Sequence, residues 1–324
     1  MARLHQLVAI ESALLMLLPA AYADTARKPA SPSAVNSTLA QTGAAAMQSV
    51  LFSNLIGGAG VFRVQLGDGG ERRKKGLAAA GEPDTWTFWA SPAYSSFDNT
   101  IQPLTSKGSI LVGLAGLEYN REDQTIMGVS MAVDRLDGTT TFNNGTLDGT
   151  GYTVAPYLMH YLTPSVVLNA NAGWGNVKFN SKAAGISSSP STSRSLVSLG
   201  LMKMDVKGKV FITTKATLNW FGNDTKSYAF SDGSTSAGVK SNLTQLILGG
   251  QVAYDMTPFT PFVGVYQYLN SQTSTVPSET PREYSSTTQG VLGLNVSKGA
   301  FYGSVGYYAE RDRSQVRAYA GLRF

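Results

Sequence analysis

Few side chains in this sequence have the chemistry of a catalytic or metal-binding site. Cysteine is absent, and histidine occurs only at His5 and His160. The lack of thiols excludes disulfide frameworks, zinc–thiolate sites and cysteine catalysis. A hydrolase would need a histidine with serine or aspartate partners, and His160 stands beside a predicted tight turn, where we assign it a structural role. The sequence therefore predicts no catalytic, cofactor-binding or metal-ligating residue and no enzymatic activity.

Acidic and amide side chains cluster between residues 134 and 148. The cluster consists of Asp134, Asp137, Asn143, Asn144 and Asp148. Oxygen ligands of this kind can hold a divalent cation loosely. The simpler interpretation is a solvated external loop, and it is the one we favour.

The composition excludes several classes of protein. Charged residues make up 15% of the 324 residues, against about 25% in a typical soluble domain. Mean hydropathy is −0.06, too low for a protein built from repeated apolar helices of about 20 residues. Aromatic residues make up 10% of the chain, which argues against disorder. The net charge of +5 comes from dispersed basic residues, so no nucleic-acid partner is predicted.

The N-terminus has the pattern of an export signal. Arg3 precedes a short apolar run at 12–18, and Ala21-Tyr22-Ala23 gives the small-x-small cleavage motif. The pattern predicts a signal peptide over 1–23 with cleavage between Ala23 and Asp24. An amphipathic N-terminal helix is the alternative interpretation.

Three segments are predicted between the signal and the first strand. Residues 24–35 are polar and proline-bearing and form a flexible segment, and 57–83 form a glycine-rich linker. Residues 36–56 are alanine-rich and end before two glycines, which predicts a helix about 31 Å long at 1.5 Å per residue. Its polar residues make it a poor lipid-facing helix, whereas its small residues suit a narrow polar pore. A surface amphipathic helix is the alternative.

From residue 84 onward the sequence reads as twelve strands. The predicted ranges are 84–97, 108–119, 124–136, 149–162, 164–179, 193–206, 209–222, 241–255, 259–270, 285–296, 299–310 and 315–324. Most of them are longer than the 5–6 residues usual in soluble domains and long enough for tilted membrane strands of about 9–11 residues. Long connections rich in Ser, Thr, Asn and Gly alternate with short ones, as external loops and periplasmic turns do in outer-membrane barrels.

Apolar residues alternate with small or polar residues in several of these strands. The apolar rows include 127–133, 166–174 and 210–220, each at every second position. A soluble sandwich would fill its core with the bulky row, but here the other row is mostly too small or polar to cover it. The pattern predicts an all-β fold, a 12-stranded antiparallel transmembrane β-barrel over 84–324, with apolar side chains outside. A soluble β-sandwich is the alternative.

The same alternation assigns two groups of residues. If the apolar rows face lipid, the charged lumen residues are Glu118, Asp134, Lys215, Arg317 and Arg323, which should pair with one another or contact the helix over 36–56. Simple solvation of the lumen face is the alternative. The final strand carries an apolar row at Val316, Ala318, Ala320, Leu322 and Phe324, which we interpret as a closing strand. Aromatic residues near strand ends predict interfacial girdles: Trp86, Phe88, Trp89, Tyr94, Tyr119, Tyr161, Trp174, Trp220, Tyr254, Tyr284 and Phe324.

These features resemble the autotransporter β-domains of Gram-negative outer membranes. The resemblance covers about 36–324 and rests on the preceding helix, the opening Trp86–Trp89 segment, Gly113–Tyr119, Gly173–Gly175, Thr257–Phe262 and the terminal Tyr319–Phe324. It implies an outer-membrane barrel whose pore holds the helix, and export of an N-terminal passenger. Only 24–83 precede the barrel after the signal and they carry no repeat, so we expect a very short displayed segment.

The resemblance also implies partners and leaves alternatives. The closing strand would be recognised by the barrel-assembly machinery, and the surface would contact outer-membrane lipid and lipopolysaccharide. We expect a monomer without a cofactor. A passive porin-like channel is the first alternative function, and an outer-membrane hydrolase is the second.

Overall fold

The computed structural model describes residues 85–99, 106–121, 124–140, 144–275, 282–311 and 313–324. They form fifteen strands, three of which are short: β6 Ile186–Ser188, β9 Tyr228–Ala229 and β10 Thr235–Ser236. The twelve long strands are β1 Thr85–Asn99, β2 Ser106–Arg121, β3 Thr125–Thr140, β4 Gly145–Thr163, β5 Val166–Ala183, β7 Ser191–Lys207, β8 Val210–Thr225, β11 Val239–Tyr254, β12 Phe259–Thr275, β13 Arg282–Lys298, β14 Phe301–Ala309 and β15 Arg313–Arg323.

The four predicted N-terminal segments, 1–23, 24–35, 36–56 and 57–83, lie outside the described residues, as do Ala23 and Asp24. In the part of the chain that the structure describes, no helix is long and apolar enough to cross a membrane.

The twelve long strands close into one antiparallel barrel. Each pairs with the long strands before and after it, and β1 pairs with β15. At the closing seam, the amide of Trp86 donates to the carbonyl of Phe324 at 3.2 Å, and the amide of Phe324 donates to the carbonyl of Trp86 at 3.1 Å. The predicted all-β, 12-stranded barrel is therefore confirmed.

A proline interrupts the seam between β1 and β15. Pro92 has no amide hydrogen to donate, and the cross-strand pairing stops at Ala90 and resumes at Ala93. The Ser91 hydroxyl donates to the carbonyl of Ala318 at 2.7 Å. A side-chain hydroxyl thus supplies a hydrogen bond where the backbone ladder is broken.

The two faces of each strand differ in the predicted sense. In β3, the side chains of Met127, Val129, Met131 and Val133 are 40–53% exposed on the outer face. Ser130 lies between them and is buried on the inner face. The rows of β5 and β8 show the same arrangement, with Trp174 and Leu218 outward. The outer surface is therefore apolar, as a lipid-facing surface requires.

The inner face is bulkier than the sequence pattern predicts. We expected mostly small and polar inward residues, but Trp89, Phe179, Met202, Phe211 and Tyr302 all lie buried there. They fit because glycines on neighbouring strands leave room for them. A Cβ at Gly149 would lie 2.7 Å from the Phe179 ring, for example. The expectation was wrong because the alternation within one strand does not show which residues lie opposite glycines on the neighbouring strands.

Outward aromatic residues lie near both ends of the strands. Near the periplasmic ends they include Trp86, Phe88, Tyr254, Phe259, Phe301 and Phe324, and further out they include Tyr94, Tyr152, Trp174, Trp220, Tyr284 and Tyr307. On β1, Trp86 and Tyr94 are separated by about 26 Å along the strand, or about 20 Å across the membrane after a tilt of about 40°. The girdle prediction is wrong for Trp89 and Tyr161, which are buried on the inner face.

The connections divide the barrel into a periplasmic and an external end. Short turns join β4 to β5, β7 to β8 and β13 to β14, with Gly208 and Gly299 at positive φ in the last two.

At the external end, residues 184–190 and 226–238 pack together. The amide of Ser231 donates to the carbonyl of Ser187 at 2.9 Å. Tyr228 stacks edge-on against Phe230, and burial raises the pKa of the Tyr228 hydroxyl.

Candidate functional site: the barrel lumen and its external mouth

The candidate site is the lumen, because the described charged side chains that are buried face inward. The inner face of the periplasmic half is dominated by Trp89, whose side chain is 1% exposed. Its indole Nε1 donates to the Tyr157 hydroxyl at 2.8 Å, and that hydroxyl donates to Glu118 Oε2 at 2.8 Å. On its other side Trp89 stacks on Tyr319, whose hydroxyl lies 2.9 Å from that of Tyr302. The result is a hydrogen-bonded aromatic cluster that anchors a buried carboxylate.

Glycines make this cluster possible. Tyr157 on β4 reaches Glu118 on β2 by lying over Gly128 on the intervening strand β3. A Cβ at Gly128 would lie 2.5 Å from the Tyr157 ring and 2.7 Å from the carbonyl oxygen of Leu117. A β-carbon at this position therefore conflicts with both a ring and a backbone atom.

We expect Gly128→Ala to lower the free energy of unfolding by about 1–3 kcal/mol, the usual cost of overpacking a tightly filled interior. The added methyl displaces Tyr157 from Glu118 and Trp89. Urea unfolding in detergent micelles, followed by tryptophan fluorescence, measures the change. Gly290→Ala is the matched control, since a Cβ there has no neighbour within 4 Å. Equal stability of the two variants would contradict the assignment.

An ion pair lies on the inner wall, closer to the external end of the barrel. Arg194 on β7 donates to both oxygens of Asp134 on β3, and the Arg194 Nη1 to Asp134 Oδ2 distance is 3.3 Å. The Arg194 Nε also donates to the carbonyl of Tyr152 at 3.3 Å. Gly151 leaves the space, because a Cβ there would lie 2.3 Å from Arg194 Nη2. The two side chains are 8% and 12% exposed, so both charges are largely removed from water.

Two further cations of the lumen contact tyrosine rings. Lys215 on β8 places its Nζ 4.2 Å from the centre of the Tyr266 ring, over Gly249 of the intervening strand. Arg317 on β15 lies 3.7 Å from the centre of the Tyr308 ring and donates through Nε to Gln315 Oε1 at 2.9 Å. Aromatic faces thus accommodate positive charge on the inner wall.

The predicted lumen charges are therefore placed as follows. Glu118, Asp134, Lys215 and Arg317 all lie on the inner face, each with its own partner rather than in one centre. Arg323 is the last residue of β15, and its side chain lies outside the described part. The row Val316, Ala318, Ala320, Leu322 and Phe324 lies on the outer face of the closing strand.

Arg194 was not predicted as a lumen residue from the sequence. Strand β7 has apolar residues on both faces, with Leu196 and Met202 inward and Leu199 and Leu201 outward, so alternation alone gave no inner face. The residue directly across from Arg194 in β5 is Gly175, and the reach to Asp134 spans two strands. Finding it requires a search for charged residues that face a glycine on the neighbouring strand, as Asp134 faces Gly151 and Arg194 faces Gly175.

The external mouth holds an open cleft of about 860 Å³ between the outer ends of β1–β4, β14 and β15. Asp98, Asp148 and Glu310 line it together with Lys107 and Arg313. Arg313 pairs with Glu310, so part of this charge is neutralised internally.

The acidic cluster predicted between 134 and 148 converges only in part, because Asp137 and Asp148 pair across β3 and β4 and line the external cleft whereas Asp134 does not. Asp134 faces inward to Arg194, whereas Asp137 faces outward to Arg135, with Arg135 Nε 3.0 Å from Asp137 Oδ2. Residues 141–143 lie outside the described part. Among the residues that are described, no group of three or more His, Cys, Asp or Glu could hold a metal ion.

His160 lies near the periplasmic end of β4, with its Nδ1 2.9 Å from the Thr125 hydroxyl. That partner is on the adjacent strand β3. Within the described part of the chain, the hydrogen bond of His160 is to this hydroxyl and not to a carboxylate that would orient the ring as in a catalytic triad.

The closed barrel of twelve strands, its inward charges and its lipid-facing apolar rows agree with a known family. A family model described as "Autotransporter beta-domain" matches residues 88–323. The chain belongs to the autotransporter β-domain family. Autotransporter β-domains are outer-membrane barrels, so this one is an outer-membrane autotransporter barrel. No curated protein sequence matches it.

Solved structures share the fold of this autotransporter β-domain. The translocator domain of the autotransporter NalP from Neisseria meningitidis is 11% identical with a TM-score of 0.59, over 75% of this chain and 88% of that one. The transport unit of AIDA-I from Escherichia coli is 14% identical with a TM-score of 0.59, over 90% and 97%. The COG4313 outer membrane channel from Pseudomonas putida F1 is 13% identical with a TM-score of 0.52, over 76% and 97%.

Proposed function

We propose that this barrel displays a very short N-terminal segment at the cell surface and that residues 36–56 occupy its lumen as a helix. The observation that carries the proposal is the inner face itself, which is lined by buried polar and charged side chains. A water-filled lumen would hydrate them, and an uncharged helix with many small residues would fit among them. The proposal assigns the export of the chain to the signal peptide over 1–23, cleaved between Ala23 and Asp24.

Deleting residues 36–56 is expected to raise the conductance of the purified barrel in planar lipid bilayers several-fold. The helix blocks the lumen in the proposed state, and its removal leaves an open polar channel. The control is deletion of residues 24–35, which should leave the conductance unchanged. An equal, low conductance with and without 36–56 would overturn the plug.

A passive channel is the second candidate function. The observation in its favour is the similar fold of an outer-membrane channel. The same recordings decide between the two, because a passive channel would give a stable open conductance with residues 36–56 in place. We further propose that the barrel has no enzymatic activity, since His160 contacts Thr125 and not a catalytic pair.

We also propose that the closing strand is what the barrel-assembly machinery recognises. Its outer row from Val316 to Phe324 is accessible, with Phe324 70% exposed at the periplasmic edge. The barrel surface would contact lipid and lipopolysaccharide, the latter near Lys178 and Lys182 on the outer face of β5 beyond Trp174. A closed barrel has no free sheet edge for strand pairing, which supports a monomer.

Deleting Phe324 is expected to reduce the folded barrel recovered in outer membranes several-fold. The deletion removes two backbone hydrogen bonds to Trp86 and the terminal aromatic ring. Heat-modifiable mobility on gels measures the folded fraction. Phe324→Tyr is the control, because it keeps the ring and both hydrogen bonds. A normal folded fraction after the deletion would refute this recognition.

A further inference from the structure

One line of inward residues crosses six adjacent long strands without an apolar or charged member. These residues face one another directly from β5 through β7, β8, β11 and β12 to β13. We call this line the polar ladder: Asn171, Ser198, Asn219, Gln245, Asn270 and Ser285. Each member carries an amide or a hydroxyl group, so the polar ladder is neutral and can both donate and accept hydrogen bonds.

The polar ladder climbs through the lumen. Asn171 lies five residues from the periplasmic start of β5, whereas Ser285 lies three residues from the external start of β13. Because neighbouring strands are about 4.8 Å apart and tilted by about 40°, each step rises by about 3 Å. Toward the periplasm the line continues through Tyr157 and Gly128 to Glu118 on β2. The line is therefore a spiral from the periplasmic half of the lumen to its external mouth.

Residues of other chemistry border the polar ladder. On β7, β8 and β11 the next inward residues toward the outside are Leu196, Phe221 and Leu243, which are buried and face one another. Toward the periplasm the next row on these strands is mixed, with glycine, polar and apolar positions. Arg194 and Lys215 lie on β7 and β8, but each stands four residues from the ladder. The neutral line is thus a feature within a wall of mixed composition.

Part of the polar ladder is bonded across the strands and part is not. Asn219 Nδ2 donates to Gln245 Oε1 at 3.5 Å, and Gln245 Nε2 donates to Asn270 Oδ1 at 2.7 Å. By contrast, Asn171 Oδ1, Ser198 Oγ and Asn219 Oδ1 have no hydrogen-bond partner among the described residues, although these side chains are at most 6% exposed. Such atoms occur singly or in pairs elsewhere on the inner face, but here they stand on three consecutive strands. Since a buried polar atom without a partner is unfavourable, this stretch suits a ligand that supplies hydrogen bonds.

An extended polypeptide fits the polar ladder. Its backbone presents amide hydrogens and carbonyl oxygens whatever its sequence, and amide and hydroxyl side chains can pair with both. The ladder residues are spaced by about 4.8 Å, whereas an extended chain repeats every residue at about 3.3 Å. No single register therefore satisfies every ladder residue, so a bound chain can advance without breaking all its hydrogen bonds at once.

From this geometry we infer that the polar ladder guides residues 24–35 through the lumen in extended form, as they pass from the periplasm to the cell surface. The inference rests on the proposed display of this segment. It adds the part of the wall that the moving chain contacts, and it concerns the step before residues 36–56 occupy the lumen.

The rate at which the N-terminus reaches the surface tests the inference. A peptide tag is inserted after Ala23, newly made chains are labelled in a short pulse, and protease added to intact cells cleaves the exposed tag. We expect Asn171→Leu and Asn219→Leu each to slow the appearance of cleavable tag several-fold, because leucine is similar in size and makes no hydrogen bond. Only barrels whose heat-modifiable mobility shows that they are folded are compared.

Asn295→Leu is the matched control for these variants. Asn295 is also a buried inward amide with an unpartnered Oδ1, but it lies on β13 away from the polar ladder. Its replacement should leave the rate unchanged. Equal rates in all three variants and the unaltered chain overturn the polar ladder as the path and leave the display intact. A tag that never becomes cleavable in the unaltered chain overturns the display, and the role of the ladder with it.

Disulfide trapping is a second measurement, and it keeps the ladder amides in place. The chain has no cysteine, so Ser31→Cys in the moving segment can be combined with Ser198→Cys on the ladder or with Ser241→Cys. Both wall serines are buried and have unpartnered hydroxyls, but Ser241 lies four residues from the ladder on β11. We expect a transient disulfide with Ser198→Cys and none with Ser241→Cys. Equal trapping at the two positions, or none at Ser198→Cys while the tag reaches the surface, overturns the ladder.

Discussion

Replacing Asp134 by alanine is expected to lower the free energy of unfolding by about 3–5 kcal/mol, because it leaves the guanidinium of Arg194 buried without its counter-charge. Of the partners that the described residues give Arg194, the carbonyl of Tyr152 then remains. The guanidinium lies over Gly151 on the inner wall, and the Arg194 side chain is 8% exposed, so little water reaches the charge. Urea unfolding of the barrel in detergent micelles measures the loss.

The chain supplies a matched control on the same strand. Asp137 also pairs with an arginine, Arg135, but the side chains of that pair are 50% and 67% exposed. An exposed pair is screened by water and salt and contributes little, so Asp137→Ala should leave the unfolding midpoint unchanged. A double variant that removes Arg194 as well as Asp134 should recover part of the loss. Equal effects of the two single variants would show that the lumen hydrates Arg194 freely.

An arginine in place of Met131 is expected to destabilise the barrel in lipid vesicles by about 2–4 kcal/mol, the cost of a cation near the bilayer midplane. Met131 faces outward on β3 and is 51% exposed. It lies between the row of Tyr119 on the periplasmic side and that of Tyr152 on the external side. Its neighbours on the outer face are apolar, so the guanidinium finds no partner there.

Thr139→Arg is the control for this second variant. Thr139 faces outward on the same strand, eight residues further toward the external end, which is about 26 Å along the strand at 3.3 Å per residue. Near the interface the same cation should cost about 0–1 kcal/mol. Folding from urea into phosphatidylcholine vesicles compares the two variants. A larger loss for Thr139→Arg than for Met131→Arg would place the membrane elsewhere on the barrel.

The sequence predicted the barrel well because the barrel depends on the alternation of apolar and polar residues, which is a local and periodic pattern. Residues 127–133 alternate without exception, and one apolar face per strand is enough to decide what faces lipid. Strand number and order followed from the turns. The ends of the strands were less well predicted, since β3 and β4 extend to Thr140 and from Gly145 through polar residues that look like a loop.

The interior was harder to predict, because contacts there join residues that are distant in sequence. Trp89 and Tyr157 are 68 residues apart, and Arg194 and Asp134 are 60 apart. Each contact needs a glycine on a strand in between, and no pattern within one strand reveals that requirement. Trp89 was therefore predicted as a girdle residue although it is the centre of the inner cluster.

The meeting of Trp86 and Phe324 at the periplasmic edge makes the order of strands circular. A short peptide joining the two ends would turn the barrel into a continuous ring, which could then be cut at an external connection such as 226–238. Such a circular permutant would keep every pair of long strands, while its first long strand would be β11 and its last β8. Comparing the membrane insertion of the permutant with that of the natural chain would show whether insertion depends only on the strand pairs of the closed barrel or also on the order in which the strands are synthesised.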